Sequence, residues 1–128
     1  MASVIINNTP HDVNIIAPVD CRFDSSIRKW VADPGVIPVV SIPSAGVLNA
    51  DIITVDTNPI GNIPTFAKAI RGCDPLPNDG CIHIVSALFA SAFLKGGGDP
   101  SRIMLVADPV MSPDGKSFIG CRGLTKPF

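Results

Sequence analysis

Short apolar runs, separated by residues that favour turns, dominate this chain. Eight of these runs have the length and β-branched content of strands, at 3–7, 12–16, 36–42, 47–57, 65–72, 81–86, 102–107 and 118–124. The turn signal at 8–11 between the first two runs predicts that the chain opens with a β-hairpin. Pro38 interrupts the third run, so this strand is expected at a sheet edge, where it could mediate oligomers.

One segment, about 86–95, has helical rather than strand periodicity. Ser86 is a suitable N-cap and Gly96 a suitable end, and Lys95 complements the helix dipole. Apolar residues fall on adjacent faces of this helix, and we expect Leu88 and Phe93 to be buried against the sheet.

The remaining segments are irregular by composition. Segment 17–35 is expected to contain only one helical turn, near 25–31, with Trp30 anchoring it. All 11 acidic residues are Asp, Gln is absent, and the chain has 13 Pro and 11 Gly, which favour turns over helix. The predicted fold is a single α+β domain over 1–128, a mostly antiparallel β-sheet or small barrel with one main helix.

Charge and composition limit the classes of partner. The chain is 46% hydrophobic and 16% charged with a net charge of -1, which indicates a packed core and gives no basic field for nucleic acid. Residues 1–61 hold three basic and six acidic side chains and residues 62–128 hold seven and five, so an anion site is expected to draw on the second half.

No membrane, metal or cofactor signal is found in the sequence. The start of the chain lacks a signal-peptide pattern, and the apolar stretch 82–94 is too short for a membrane span. No cysteine pair is spaced as CxxC, which favours free thiols, a cytoplasmic location and no metal site. The glycines at 96–98 follow a helix, whereas a phosphate-binding loop precedes one, so we expect no cofactor.

The turn at 7–11 contains the first candidate functional residues. Asn7, Asn8, Thr9 and Pro10 are the residue types that a tight turn uses, but a turn does not need His11. A histidine can donate, accept or bind an anion, so His11 is a candidate binding or catalytic residue. Asn7 and Thr9 belong to the same turn as His11, so they are included in the candidate site.

Further candidates lie in the second half of the sequence. The helix start at Ser86 could present backbone amides to an anion or could simply be buried. Arg122 lies between two glycines and suits a phosphate or carboxylate. Cys121 is either a nucleophile, if a histidine lies beside it, or a buried thiol. His83, in the strand at 81–86, is expected to be a partly exposed sheet histidine.

Several of these segments together resemble a family of small proteins found in phages, plasmids and bacterial genomes. The shared motifs are N-x-T-P-H at 7–11, I-P-x-x-G at 42–46, I-x-I-V-S-x-L at 82–88, D-P-V at 108–110, and a closing D-G segment at 114–124 that ends in I-G-C-R-G-L. The resemblance implies a small cytoplasmic protein of mobile-element type, with the motif residues as its working surface.

Three functions remain open from the sequence. The first is a non-enzymatic protein that binds a small anionic ligand, with sequestration of a nucleotide-derived immune signal as its sharpest form. The second is a small enzyme that uses His11 as acid or base, and the third is a structural or assembly protein. For the binding protein we expect a homo-oligomer and one site in which His11 and Arg122 are the main polar contacts.

Overall fold

The structure is a computed structural model and describes residues 4–127. Within these residues, one α-helix, α1 (Ala87–Lys95), accompanies ten strands. In chain order the strands are β1 (Ile5–Asn7), β2 (Val13–Ile15), β3 (Cys21–Asp24), β4 (Lys29–Ala32), β5 (Val40–Ile42), β6 (Ala50–Ile60), β7 (Ile63–Cys73), β8 (Ile82–Ile84), β9 (Ile103–Met111) and β10 (Phe118–Thr125). Two short 3₁₀ turns lie at Pro18–Asp20 and Pro100–Arg102.

The main sheet is a nearly closed, barrel-like layer. Its strands follow the order β1-β8-β9-β10-β2-β5, and the β3–β4 hairpin joins it through β4, which pairs with β9. A bridge between Asn7 and Ser44 then links the end of β1 to the chain just after β5. Because these are the two ends of the strand order, the bridge closes the layer on itself. The expected α+β class and small barrel are therefore present, with strands dominating.

Strand pairing is mixed rather than mostly antiparallel. Four of the pairings between described strands are parallel and four are antiparallel. The predicted opening hairpin is wrong, because β1 pairs in parallel with β8 while β2 pairs with β10 and β5. Alternation along a strand fixes which face is buried, but it does not select the neighbouring strand.

The segment predicted to hold a helical turn is the β3–β4 hairpin. The side chain of Asp24 accepts hydrogen bonds from the amide and hydroxyl of Ser26, and Arg28 adopts a left-handed φ of 55° that completes the turn. An Asp or Ser that bonds the backbone two residues on is used by helix caps and by tight turns alike, so the local signal does not distinguish them. Trp30 lies in β4, opposite Phe23.

Three strands extend beyond the ends that the sequence predicts. β6 and β7 form a separate two-stranded ribbon whose strands run through most of 58–64, which was expected to be a loop. β9 continues through Asp108 and Pro109, also predicted as loop. Asp108 accommodates this with a φ of 50°, and Pro109 is paired with Cys121 of β10. β5 lies at one end of the strand order, and the bridge at Ser44, just after it, links this end to β1.

The helix is confirmed, but its buried face was only partly predicted. Ser86 caps α1 by accepting a hydrogen bond from the Phe89 amide at 3.1 Å. Phe89 is 0% exposed and stacks with the half-buried Phe93, while Leu88 is 51% exposed. Successive side chains of a helix point about 100° apart around its axis, so a buried face centred on Phe89 and Phe93 does not include Leu88. No helix among residues 4–127 is long and apolar enough to cross a membrane.

Candidate functional site

Parallel pairing brings two loops to one end of the barrel. β1 and β8 run side by side with Asn7 opposite Ile84, so both strands end at the same edge. The 8–12 loop leaves β1 there, and the chain leaves β8 through Ser86 into α1. Polar groups at the carboxyl ends of adjacent parallel strands are a common way to form a binding site.

Asn7 organises the turn and has no free polar group for a ligand. Its side chain is buried, and its amide nitrogen donates to the carbonyl oxygens of His11 at 2.8 Å and Ile42 at 2.9 Å. Its amide oxygen accepts from the backbone N–H of Thr9 at 3.0 Å and from the Thr9 hydroxyl at 2.6 Å. Asn7 was predicted as a site residue, and the structure gives it a supporting position behind the turn.

The same turn is tied to the far end of the strand order. The Ser44 hydroxyl donates to the carbonyl oxygen of Thr9 at 2.6 Å, and the Ser44 amide donates to the Asp12 carboxylate at 3.1 Å. The Asn8 side chain donates to the carbonyl oxygen of Gly46 at 2.9 Å. The polar residues at 7–12 thus hold the barrel closed, which fixes the position of the His11 backbone.

A cleft of about 740 Å³ opens beside this turn. Such a volume lies within the range of small-molecule sites. Polar groups line it at Thr9, His11, Asp12, Asn14 and Ser86. Apolar side chains from β2, the connection between β8 and α1, α1 itself, β9 and β10 also line it, at Val13, Val85, Ala87, Leu105, Val106, Pro109, Phe118 and Ile119.

Three of the predicted site residues therefore share one cleft. Thr9, His11 and Ser86 all line it, and the imidazole of His11 is exposed without a hydrogen bond to any described side chain. At the helix start, the Phe89 and Ala90 amides bond to Ser86, which leaves the Ala87 and Leu88 amides without an acceptor among residues 4–127. Unpaired amides at a helix start carry partial positive charge.

Arg122 is not part of the cleft lining. The strand that follows the 7–11 turn does meet the strand that carries Arg122, since Ile15 of β2 pairs with Cys121 of β10. Successive residues of a strand point to opposite faces, and Cys121 lines the cleft. The Arg122 guanidinium instead lies 3.7 Å from the ring centre of Trp30 and donates to Asp108 at 3.1 Å. Its Nε atom is buried with no partner in the described chain.

Cys121 is a buried thiol at the base of the cleft. Its exposed fraction is 1%, and burial raises the pKa of this thiol, which keeps it protonated. The neighbouring Gly120 allows the tight approach of β10 to β2, because a Cβ there would lie 2.6 Å from the Asn14 carbonyl oxygen. These surroundings fit a structural cysteine rather than a nucleophile.

A buried polar network behind the turn was not predicted. His83 is 1% exposed, not partly exposed as expected, and its Nδ1 lies 2.6 Å from the Asn8 side-chain oxygen. Its Nε2 lies 3.0 Å from the Asp79 carboxylate. Hydrogen bonds from the Cys81 amide and from His83 lower the pKa of Asp79. The available signal was the position of His83 between Ile82 and Ile84. Apolar neighbours indicate burial, and a buried histidine needs polar partners.

The cleft walls were also missed, because Leu105, Val106 and Phe118 have no chemical signature of their own.

Residues 4–127 contain no group of three or more His, Cys, Asp or Glu side chains arranged to hold a metal ion. Comparison of the chain with models of protein families, with curated proteins and with solved structures finds no match.

Proposed function

We propose that this protein is a non-enzymatic binding protein that captures a small anionic molecule in the cleft beside His11. The anionic group would contact the polar end of the cleft, formed by Thr9, His11 and the helix start at Ser86. The rest of the molecule would lie along the apolar wall from β9 and β10. Arg122 is not needed for this form of the site.

The observation that carries the proposal is the convergence of unsatisfied donors on one cleft. His11 and the helix start at Ser86 and Ala87 come from segments about 75 residues apart in sequence and line the same opening. Donors of this kind, at a helix start and on a histidine, suit phosphate or carboxylate oxygens. One acidic side chain, Asp12, also lines the cleft, and the Ser44 amide donates to one of its carboxylate oxygens.

A nucleotide is the ligand class that matches both ends of the cleft. Its base is flat and apolar on its faces, which suits the wall that includes Val106 and Phe118, and its phosphate suits the polar end. The resemblance of the motifs to small phage and plasmid proteins supports the sharper form of the proposal. In that form the protein sequesters a nucleotide-derived signal of the host.

Calorimetric titration tests the site with defined probes. We expect a nucleoside monophosphate or a cyclic dinucleotide to bind more tightly than the same nucleoside without phosphate, because only the phosphate uses the donors. His11→Ala should weaken phosphate-dependent binding by about 1.5–3 kcal/mol, the scale of a charged hydrogen bond. Val106→Asp should weaken it as well, because it adds a negative charge to the wall of the cleft.

Matched variants separate a site effect from a loss of fold. Val19 is exposed and lies outside the cleft, so Val19→Asp should bind as the wild type does. Arg122→Ala should also retain binding, and a loss there would favour the joint site with His11 that the sequence predicted. Equal affinity of nucleoside and nucleotide would contradict an anion site.

The fate of the ligand separates binding from catalysis. If the protein only sequesters, a bound nucleotide is recovered unchanged after prolonged incubation and denaturation. If the protein is an enzyme that uses His11 as acid or base, the recovered molecule is altered and His11→Ala stops the change. Mass spectrometry of the released ligand distinguishes the two.

A further inference from the structure

The ribbon of β6 and β7 is the least covered part of the described chain. Its two strands pair only with each other, and its main contact with the rest of residues 4–127 is with α1. From Thr54 through the turn to Lys68, Thr65 alone is half-buried and all other residues are exposed. Strands of 11 residues, at about 3.3 Å per residue, make this an arm roughly 36 Å long.

The exposed surface of this arm includes large apolar side chains. Phe66 is 61% exposed, and Val55, Ile60 and Ile63 are also exposed. An isolated two-stranded hairpin is at best marginally stable in water, because few buried groups offset the entropy of about 1–2 kcal/mol per ordered residue. An ordered arm with this apolar surface is typical of an element that is covered in an assembly.

The charges of the arm indicate what covers it. Asp51 and Arg71 form an ion pair at 2.8 Å near the base. Farther out, Asp56 and Lys68 are exposed and have no ion pair within the described chain. The arm therefore presents one unpaired anion and one unpaired cation, together with apolar surface.

The register places both charges on one face of the arm. Thr54 lies opposite Lys68, and Asp56 lies opposite Phe66, so these four residues form a square of neighbours on that face. Asp56 and Lys68 occupy one diagonal, while Thr54 and Phe66 occupy the other. A two-fold axis along the Thr54–Phe66 diagonal would bring each Asp56 opposite the Lys68 of an identical face.

We propose that two copies of this chain associate through this face of the β6–β7 arm. In the dimer, Phe66 packs near the two-fold axis, and Asp56 of each copy pairs with Lys68 of the other. The second copy is the occupant that the arm specifies, since its charge pattern is complementary to itself. This inference is independent of the ligand proposed for the cleft.

Charge reversal tests the arrangement with the full chain, by analytical ultracentrifugation and native mass spectrometry. The wild type should form a dimer. Asp56→Lys and Lys68→Asp should each raise the dimer dissociation constant by at least about tenfold, because each places like charges together twice. When the two variants are mixed, a heterodimer should form, since one copy then carries two lysines and the other two aspartates at these positions.

Only a dimer built on these contacts behaves in this way. Lys116→Asp, an exposed charge reversal in the turn between β9 and β10, should leave the dimer intact. Circular dichroism should be the same for all variants, because the altered side chains are exposed. A wild type that stays monomeric at about 100 μM, single variants that still dimerise, or a mixture that fails to associate would overturn the proposal.

Discussion

Asn7 and His11 stand at the two ends of one short turn and have opposite surroundings. All the polar atoms of the Asn7 side chain are used inside the protein, while His11 is exposed, lines the cleft and makes no ring hydrogen bond to the described residues. The turn needs Asn7 for its shape and for barrel closure. It needs only the backbone of His11, whose carbonyl oxygen accepts from Asn7. The His11 side chain is therefore the group that is free for a ligand.

Neighbouring residues of α1 provide a direct stability comparison. Phe89→Ala should lower the free energy of unfolding by about 3–5 kcal/mol, because it leaves a cavity where the side chain is fully buried. Leu88→Ala, on the exposed face, should change it by less than about 1 kcal/mol. Urea denaturation of both variants measures the difference, and equal losses would show that the helix packs on a different face.

The Asp79 carboxylate makes stability depend on pH. Its folded-state pKa is lowered, by the Cys81 amide and by His83, so its contribution is present above the ordinary aspartate pKa of about 3.9. That contribution is lost as pH falls through the lowered folded-state value, because the unfolded state then binds more protons.

Asp79→Asn removes this dependence. We expect the variant to be less stable than the wild type at pH 7, with the difference shrinking as pH falls below about 4. Denaturation curves at several pH values give both profiles, with Asp20→Asn as the control, because Asp20 forms no ion pair among the described residues. A constant difference at all pH values would show that the carboxylate charge is not the stabilising feature.

At the scale of elements, the contact between β2 and β10 depends on a missing side chain. A Cβ at Gly120 would meet the Asn14 carbonyl oxygen at 2.6 Å and Ile16 at 3.1 Å. Gly123, three residues later on the same strand, has nothing within 4 Å of the corresponding position. The two glycines of β10 thus form a matched pair.

Gly120→Ala should therefore destabilise the protein by about 1–3 kcal/mol, as overpacking does, while Gly123→Ala should be tolerated. Thermal denaturation of the two variants tests this expectation. If both substitutions have the same effect, the loss comes from a general property of glycine in strands and not from the close approach of β2.

Element types were more predictable from the sequence than element partners. Caps at Ser86 and Gly96 define α1 locally, and the alternation at 47–57 predicts much of β6. The partner of β1 is β8, some 75 residues away, and no local pattern contains that information. Asp24 and Ser26 likewise favour a turn or a cap equally, and only the pairing of β3 with β4 decides.

At the scale of the molecule, the residue types of the candidate site were also easier to predict than their positions relative to one another. His11 could be singled out from the sequence, because a turn does not require a histidine, and the structure places it in one cleft with the predicted Thr9 and Ser86. Arg122 has an equally strong chemical signature, but strand alternation sends it to Trp30 on the face opposite Cys121. Sequence alone does not fix which of two successive residues points inward when glycines flank both.

The strand order also has a consequence for synthesis on the ribosome. β10 lies between β9 and β2 in the sheet. Because β2 is synthesised long before β10, it lacks this neighbour until β10 has been made. A nascent chain that stops before Phe118 leaves edges of β2 and β9 open to other polypeptides. We therefore expect shortened chains that lack β10 to be bound by chaperones or degraded, and the barrel to close only after residues 118–125 have left the exit tunnel.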